Sequence, residues 1–156
     1  MDKHYLTPLF SPETIVVMAG RADDPSSQTH HGRALCESLR AQPYSGQLHF
    51  VDTGTSGTLA DLAKTRADLA LIALPPAEVA AALELAGRMS CRSALVISSG
   101  IGAELATDLK RIARREGVHL LGPNSLGLQR PRLHLNASTA GPLAMPGSLA
   151  LVSQSG

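Results

Sequence analysis

Four short aliphatic runs punctuate the chain: Ile15–Met18, Leu69–Leu74, Ala94–Ile97 and Leu149–Val152. None alternates with polar residues, and each gives way within two residues to Gly, Pro or Ser. An unalternating apolar run of this length reads as a strand buried on both faces. Weaker strands are predicted at Leu48–Val51 and Val118–Leu121. Between the runs the periodicity turns helical. His31–Ala41 sets Ala34, Leu35, Ser38 and Leu39 on one face. Pro76–Arg88 opens with Pro at the first helical position, where its missing N–H costs nothing. Ala103–Glu116 spaces Leu105, Leu109, Ile112 and Ala113 for one face. Thr58–Lys64 predicts a short helix with Thr58 as N-cap and Asp61 three residues on, a loose capping box.

Strands that alternate with helices imply βαβ units, right-handed crossovers and a parallel sheet. The expected fold is therefore α/β: a doubly wound, Rossmann-like, mostly parallel sheet with helices on both faces. The 156 residues suit one domain, 1–156. No internal repeat is visible. Residues 129–147, rich in Pro, Gly and short polar side chains, are expected to form an irregular loop before the last strand at Leu149–Val152. A strand and a Ser/Gly turn normally lead into a helix, so the chain is expected to be the N-terminal fragment of a longer enzyme.

Composition refines this picture. Aromatics are only 3% and Trp is absent, so a core drawn from 44% apolar residues must be aliphatic. A formal net charge of +1, with scattered signs, gives no field directed at nucleic acid or an acidic membrane. No apolar run approaches the roughly 20 residues of a membrane span. The start of the chain has no signal-peptide core, and a cytoplasmic location is expected. Cys36 and Cys91 match no metal or disulfide pattern and read as reduced core thiols.

In a doubly wound sheet, ligands sit beyond the carboxyl ends of the strands. The segments that follow the strands are Ala19–Pro25, Asp52–Thr55, Pro75–Pro76, Ser98–Ile101 and Gly122–Gly127. They are small, flexible and hydrogen-bonding. None pairs a nucleophile with a base, so the edge is built for binding and no catalytic residue is assigned. Gly20 would let backbone approach a phosphate, and Gly32 opens a helix whose first N–H groups favour an anion. Arg21 and Arg33 add charge there. The alternative is an ordinary βα turn with solvated arginines. Asp52 stands after the second strand, where a nicotinamide-binding domain keeps its ribose-binding acid. It lies farther from Gly20 than the roughly 20 residues expected, and a turn-forming Asp is the favoured reading. His30 and His31 diverge on a helix start and read as capping or solvated side chains, not metal ligands. Ser99, Ser153 and Ser155 lie outside any G-x-S-x-G elbow.

One segment is specific: Leu120-Leu121-Gly122-Pro123-Asn124-Ser125-Leu126-Gly127-Leu128. Together with Leu135-Asn136-Ala137-Ser138 and Pro146–Gly156, it resembles the CoA-binding domain of NDP-forming acyl-CoA synthetases. That domain is similar to the start of the succinyl-CoA synthetase α subunit. It also opens bacterial lysine acetyltransferases that carry a GNAT domain, to which the Gly122–Gly127 and Leu135–Ser138 wording is especially close. Leu9–Val17 and Asp68–Ala73 resemble the family too, so the likeness spans nearly the whole chain. It implies CoA or acyl-CoA as cofactor. Its phosphates would be held at Gly20, Arg21 and Gly32, with Pro75 alongside. The loop after the fourth strand contributes Ser98, Ser99 and Gly100, and Asn124 and Gly127 lie near the thiol end. The implied parent is an acid–thiol ligase (ADP-forming) or an N-acetyltransferase, whose downstream synthetase or GNAT domains would be partners. A homo-oligomer is the further partner considered.

Three departures stand out. Ala19-Gly20-Arg21 replaces the family's Gly-Ala-Ser. Asp52–Thr55 offers an acid and no Lys. The stretch from there to Thr58 is several residues short. The family's phospho-histidine lies in the domain that follows, and none of the six histidines fits that role. Two alternatives remain: an NAD(P)-binding oxidoreductase domain, resting on Gly20 and Asp52, and a regulatory or assembly module that has lost its ligand.

Overall fold

The computed structural model describes residues 4–21, 24–51 and 66–154. The apolar runs become β1 (Thr14–Met18), β3 (Leu69–Ile72) and β4 (Ser93–Val96). The weaker ones become β2 (Gln47–Phe50) and β5 (His119–Leu121). All five pair in parallel, in the order β2-β1-β3-β4-β5. The direction of strand addition reverses between β1 and β3, which makes their carboxyl ends the switch point of the sheet.

Among the described residues, four α-helices pack on the sheet: α1 (Thr7–Phe10), α2 (His30–Arg40), α3 (Pro76–Arg88) and α4 (Ala103–Glu116). Alternate strand residues face opposite sides. Val16, Met18, Ala70, Ile72, Ala94 and Val96 pack against Val79, Leu83, Ala86, Leu109 and Ile112 of α3 and α4. Ile15, Val17, Leu69, Leu71 and Leu95 pack against Leu9 of α1 and Leu35, Cys36 and Leu39 of α2. The strands are apolar without alternation because both faces are covered, and all residues of β3 and β4 are buried. Asp68 pins the amino ends of β1 and β3 together. Its Oδ2 accepts from the N–H groups of Glu13 at 2.8 Å and Thr14 at 3.0 Å.

Two expectations are corrected. Residues 129–147 are not an irregular loop throughout. They complete an antiparallel hairpin, β6 (Gly127–Arg130) with β7 (Leu135–Ser138). Leu135 and Ala137 are fully buried against the α2 side of the sheet. The polar residues that gave the segment a loop-like composition satisfy one another instead. Gln129 Nε2 donates to Asn136 Oδ1 and to the Pro142 carbonyl, both at 3.1 Å. Asn136 Nδ2 donates to the Gly141 carbonyl at 2.9 Å, and Ser138 Oγ to Asn136 Oδ1 at 2.7 Å.

Leu149–Val152 forms no strand. Leu149 is 99% exposed and Leu151 93%. No strand among the described residues lies beside the segment to take its backbone hydrogen bonds. The expected helix Thr58–Lys64 and the turn Asp52–Thr55 lie outside the described residues. Among those described, no helix is long and apolar enough to cross a membrane.

Candidate functional site

Three turns meet at the carboxyl end of the switch point. The start of α2 supplies Thr29, His30 and His31. The turn after β3 supplies Leu74, Pro75 and Pro76, and the turn after β4 supplies Ser98 and Ser99. Together they line an open cleft of about 240 Å³.

Local chemistry explains how each wall is held. Thr29 is the N-cap of α2, and its hydroxyl accepts from the Gly32 N–H at 2.9 Å. The same hydroxyl donates to the Ala73 carbonyl at 3.1 Å, so the helix start is tied to the end of β3. Gly32 lets the helix sit that close. A Cβ there would lie 2.8 Å from the Ala19 carbonyl oxygen and 2.9 Å from that of Ala73. A helix leaves its first N–H groups without intrahelical partners. Thr29 takes that of Gly32, and the His30 and His31 groups head the helix beside the cleft. Opposite, Pro75 and Pro76 fix the turn into α3. The buried Ser98 hydroxyl accepts from the Leu74 N–H at 2.9 Å, joining the β3 and β4 turns.

The structure thus brings Pro75, Ser98 and Ser99 together in one cleft. Asn124 lies next to them. Its N–H donates to the Ser98 carbonyl at 3.0 Å, and its φ is 57°. Gly100 is exposed, one residue beyond Ser99. Gly20 turns the chain after β1 with φ +84°, and a Cβ there would meet the Ser27 carbonyl oxygen at 2.8 Å. Its glycine is thus required by the loop's own return. Arg21 is exposed and is not among the residues lining the cleft. Its backbone N–H donates to Ser27 Oγ at 2.9 Å, and its carbonyl accepts from Gln28 Nε2 at 2.9 Å. Gly127 lies in the hairpin, where a Cβ would come within 2.3 Å of the Ala137 carbonyl oxygen. That contact accounts for the residue by packing. Asp52 lies outside the described residues.

His30 and His31, expected as capping or solvated side chains, remain at least partly exposed and also line the cleft, because α2 begins beside the β3 and β4 turns. Their rings sit edge to face with centroids 5.8 Å apart. No hydrogen bond joins Ser98 or Ser99 to a histidine among the described residues. Nor do three His, Cys, Asp or Glu side chains gather as metal ligands among them. Cys36 and Cys91 are buried free thiols. Burial raises both above the ordinary thiol range, and Cys91 is pushed up to about 12, with Asp68 adding to the effect. Among the described residues, the cleft offers hydroxyls from Thr29, Ser98 and Ser99 and imidazoles from His30 and His31 as its polar side chains.

No family model matches the chain. Known proteins do. The ADP-forming acetate–CoA ligase I α subunit of Pyrococcus furiosus is 30% identical over 169 aligned positions, covering 97% of this chain and 36% of the subunit. The ADP-forming acetate–CoA ligase I of Archaeoglobus fulgidus is 39% identical over 95 residues, 57% of this chain and 14% of that protein. Among solved structures, the dinucleotide-forming acetyl-coenzyme A synthetase 1 of Ca. Korarchaeum cryptofilum superposes with a TM-score of 0.73. It is 28% identical, over 87% of this chain and 31% of that one. The chain therefore spans only a minor part of the length of each of these relatives.

Proposed function

We propose that this chain, a domain of the NDP-forming acyl-CoA synthetase family, binds coenzyme A or an acyl-CoA along the carboxyl edge of its sheet. The observation that carries the proposal is similarity over 97% of the chain to an acetate–CoA ligase α subunit. The cleft at the β1/β3 switch point supports it. The residues suit such a ligand. Gly32 removes side-chain bulk where the helix start meets two strand ends. Pro75 and Pro76 offer an apolar wall to an alkyl segment, and Ser99 and Asn124 offer polar contacts further along the edge. A cleft of about 240 Å³ holds one segment of so long a ligand, and the rest would run along the strand ends.

In this reading the chain contributes binding and orientation, and the ligase chemistry resides in other parts of a larger protein. The parent is an acid–thiol ligase, the activity named for its relatives. A GNAT-fused acetyltransferase is the second architecture, supported by the wording of Gly122–Gly127 and Leu135–Ser138. Two buried, reduced thiols suit the cytoplasm. A nicotinamide-binding reading is not favoured, since the relatives are CoA ligases.

A thermal-shift panel of CoA, acetyl-CoA, NAD(H), NADP(H) and ATP tests the proposal. A ligand at about 100 times its Kd stabilises by roughly 2.7 kcal/mol, a readily measured shift. Protection by CoA and acetyl-CoA alone is expected. Protection by a nicotinamide nucleotide instead would overturn it. So would the absence of any shift, which the lost-ligand reading predicts.

A further inference from the structure

The amino ends of β3, β4 and β5 lie at the opposite edge of the sheet from the cleft. Four exposed arginines gather there: Arg66 before β3, Arg92 before β4, Arg88 in the last turn of α3 and Arg114 in the last turn of α4. Backbone hydrogen bonds tie their segments together. Ala67 N–H donates to the Met89 carbonyl at 3.2 Å, and Arg92 N–H to the Asp68 carbonyl at 3.1 Å. His119 N–H donates to the Arg92 carbonyl and Val118 N–H to the Ala113 carbonyl, both at 2.9 Å. Three neighbouring strand starts span about 10 Å, so the arginines form one short strip. The acids beside it are already engaged. Asp68 Oδ2 accepts from the Glu13 and Thr14 N–H groups. Glu84 and Glu116 both pair with Arg115, at 2.7 and 2.8 Å. Among the described residues, none of the four arginines forms a salt bridge. Helix dipoles favour a cation at Arg88 and Arg114. They do not explain Arg66 and Arg92, which lie outside any helix. Like charges held this close repel unless an anion lies among them.

We propose that this edge docks an acidic patch of another polypeptide, with the guanidinium groups taking its carboxylates. Planar guanidinium groups match carboxylates through paired N–H donors. A nucleic acid fits less well. Its charge repeats along a helix, whereas this strip ends toward β1, where Glu13 stands. With a formal net charge of only +1, the whole chain has almost no field to draw a long polyanion. The surface is separate from the cleft, and the inference does not depend on the CoA reading.

Fluorescence anisotropy of a labelled oligoglutamate peptide with the whole chain tests this, beside a labelled oligonucleotide of equal charge. The peptide is expected to bind at about 0.05 M salt and to be released at about 0.5 M, as screening shortens the reach of the charges. Arg88→Gln with Arg92→Gln should weaken it roughly fivefold or more, the sum of two exposed ion pairs of modest individual strength. Arg111→Gln with Arg132→Gln removes the same charge elsewhere on the surface and should leave affinity near that of the unaltered chain. In the unaltered chain, the backbone amide resonances of Ala67, Asp68 and Arg92 should move with the peptide, a readout that needs no variant to fold. Equal weakening by the two double variants would reduce the attraction to net charge and overturn the assignment. Absence of peptide binding at low salt, or amide signals indifferent to the peptide, would do the same. Tighter binding of the oligonucleotide through the same arginines would replace the acidic polypeptide with a nucleic acid and overturn it as well.

Discussion

Thr29 and Ala73 are joined across the floor of the cleft, the threonine hydroxyl donating to the alanine carbonyl at 3.1 Å. The same oxygen accepts from Gly32 N–H at 2.9 Å. One side chain thus caps α2 and fastens it to β3. Thr29→Ala removes both bonds and should cost about 1–2 kcal/mol, the range for a lost N-cap. Thr29→Ser keeps the hydroxyl and should stay near the unaltered protein. Urea unfolding of the two variants checks this; equal losses would assign the effect to the lost methyl group.

Gly32→Ala sets helix propensity against packing. Alanine is favoured in a helix by roughly 1 kcal/mol over glycine. Here its Cβ would press on two carbonyl oxygens at 2.8 and 2.9 Å. Overpacking of this kind costs about 1–3 kcal/mol, so a net loss of stability is expected. Gly102, the N-cap of α4, has no atom within 4 Å of its would-be Cβ. Gly102→Ser should be neutral or slightly stabilising, because it adds a capping hydroxyl. Chemical denaturation of both variants shows whether the signs differ.

Asp68 holds two backbone donors through one oxygen, Oδ2. Asp68→Ala strands the Glu13 and Thr14 N–H groups and should cost about 1–3 kcal/mol. Asp68→Asn keeps one acceptor oxygen and should lose less. A ranking of the two variants by midpoint of unfolding is the check.

Cys91 gives stability an alkaline limit. Its thiol is pushed from 9.0 to about 12 in the folded chain, first by burial and then by Asp68. Between those values the unfolded chain has released a proton that the folded chain still holds. Stability is therefore complete below about 9 and falls as pH rises toward 12. Tyr44, raised mainly by burial, acts in the same direction. Unfolding midpoints measured from pH 8 upward should fall for the unaltered protein and fall less steeply for Cys91→Ala. Parallel slopes would remove Cys91 from this role.

The framework is legible in local pattern. Leu69–Ile72 and Ser93–Val96 announce doubly buried strands because a strand covered on both faces can hold no polar alternation. Pro76–Arg88 and Ala103–Glu116 match their predicted helices, bounded by Pro75 on one side and by Gly102 and Gly117 on the other. Pro75, Ser98, Ser99 and Asn124 follow from that framework, since every parallel strand ends on the same edge.

The remainder depends on contacts between distant segments. Leu149–Val152 is as apolar as β3, yet a strand needs a neighbouring strand to satisfy its backbone, and none among the described residues lies beside it. Gln129, Asn136 and Ser138 look like loop residues one by one. They become a hairpin because each supplies the partner another needs. His30 and His31 reach the cleft only because Gly32 and Thr29 draw α2 onto the ends of β1 and β3. Those contacts join residues far apart in the chain, and no local pattern encodes them.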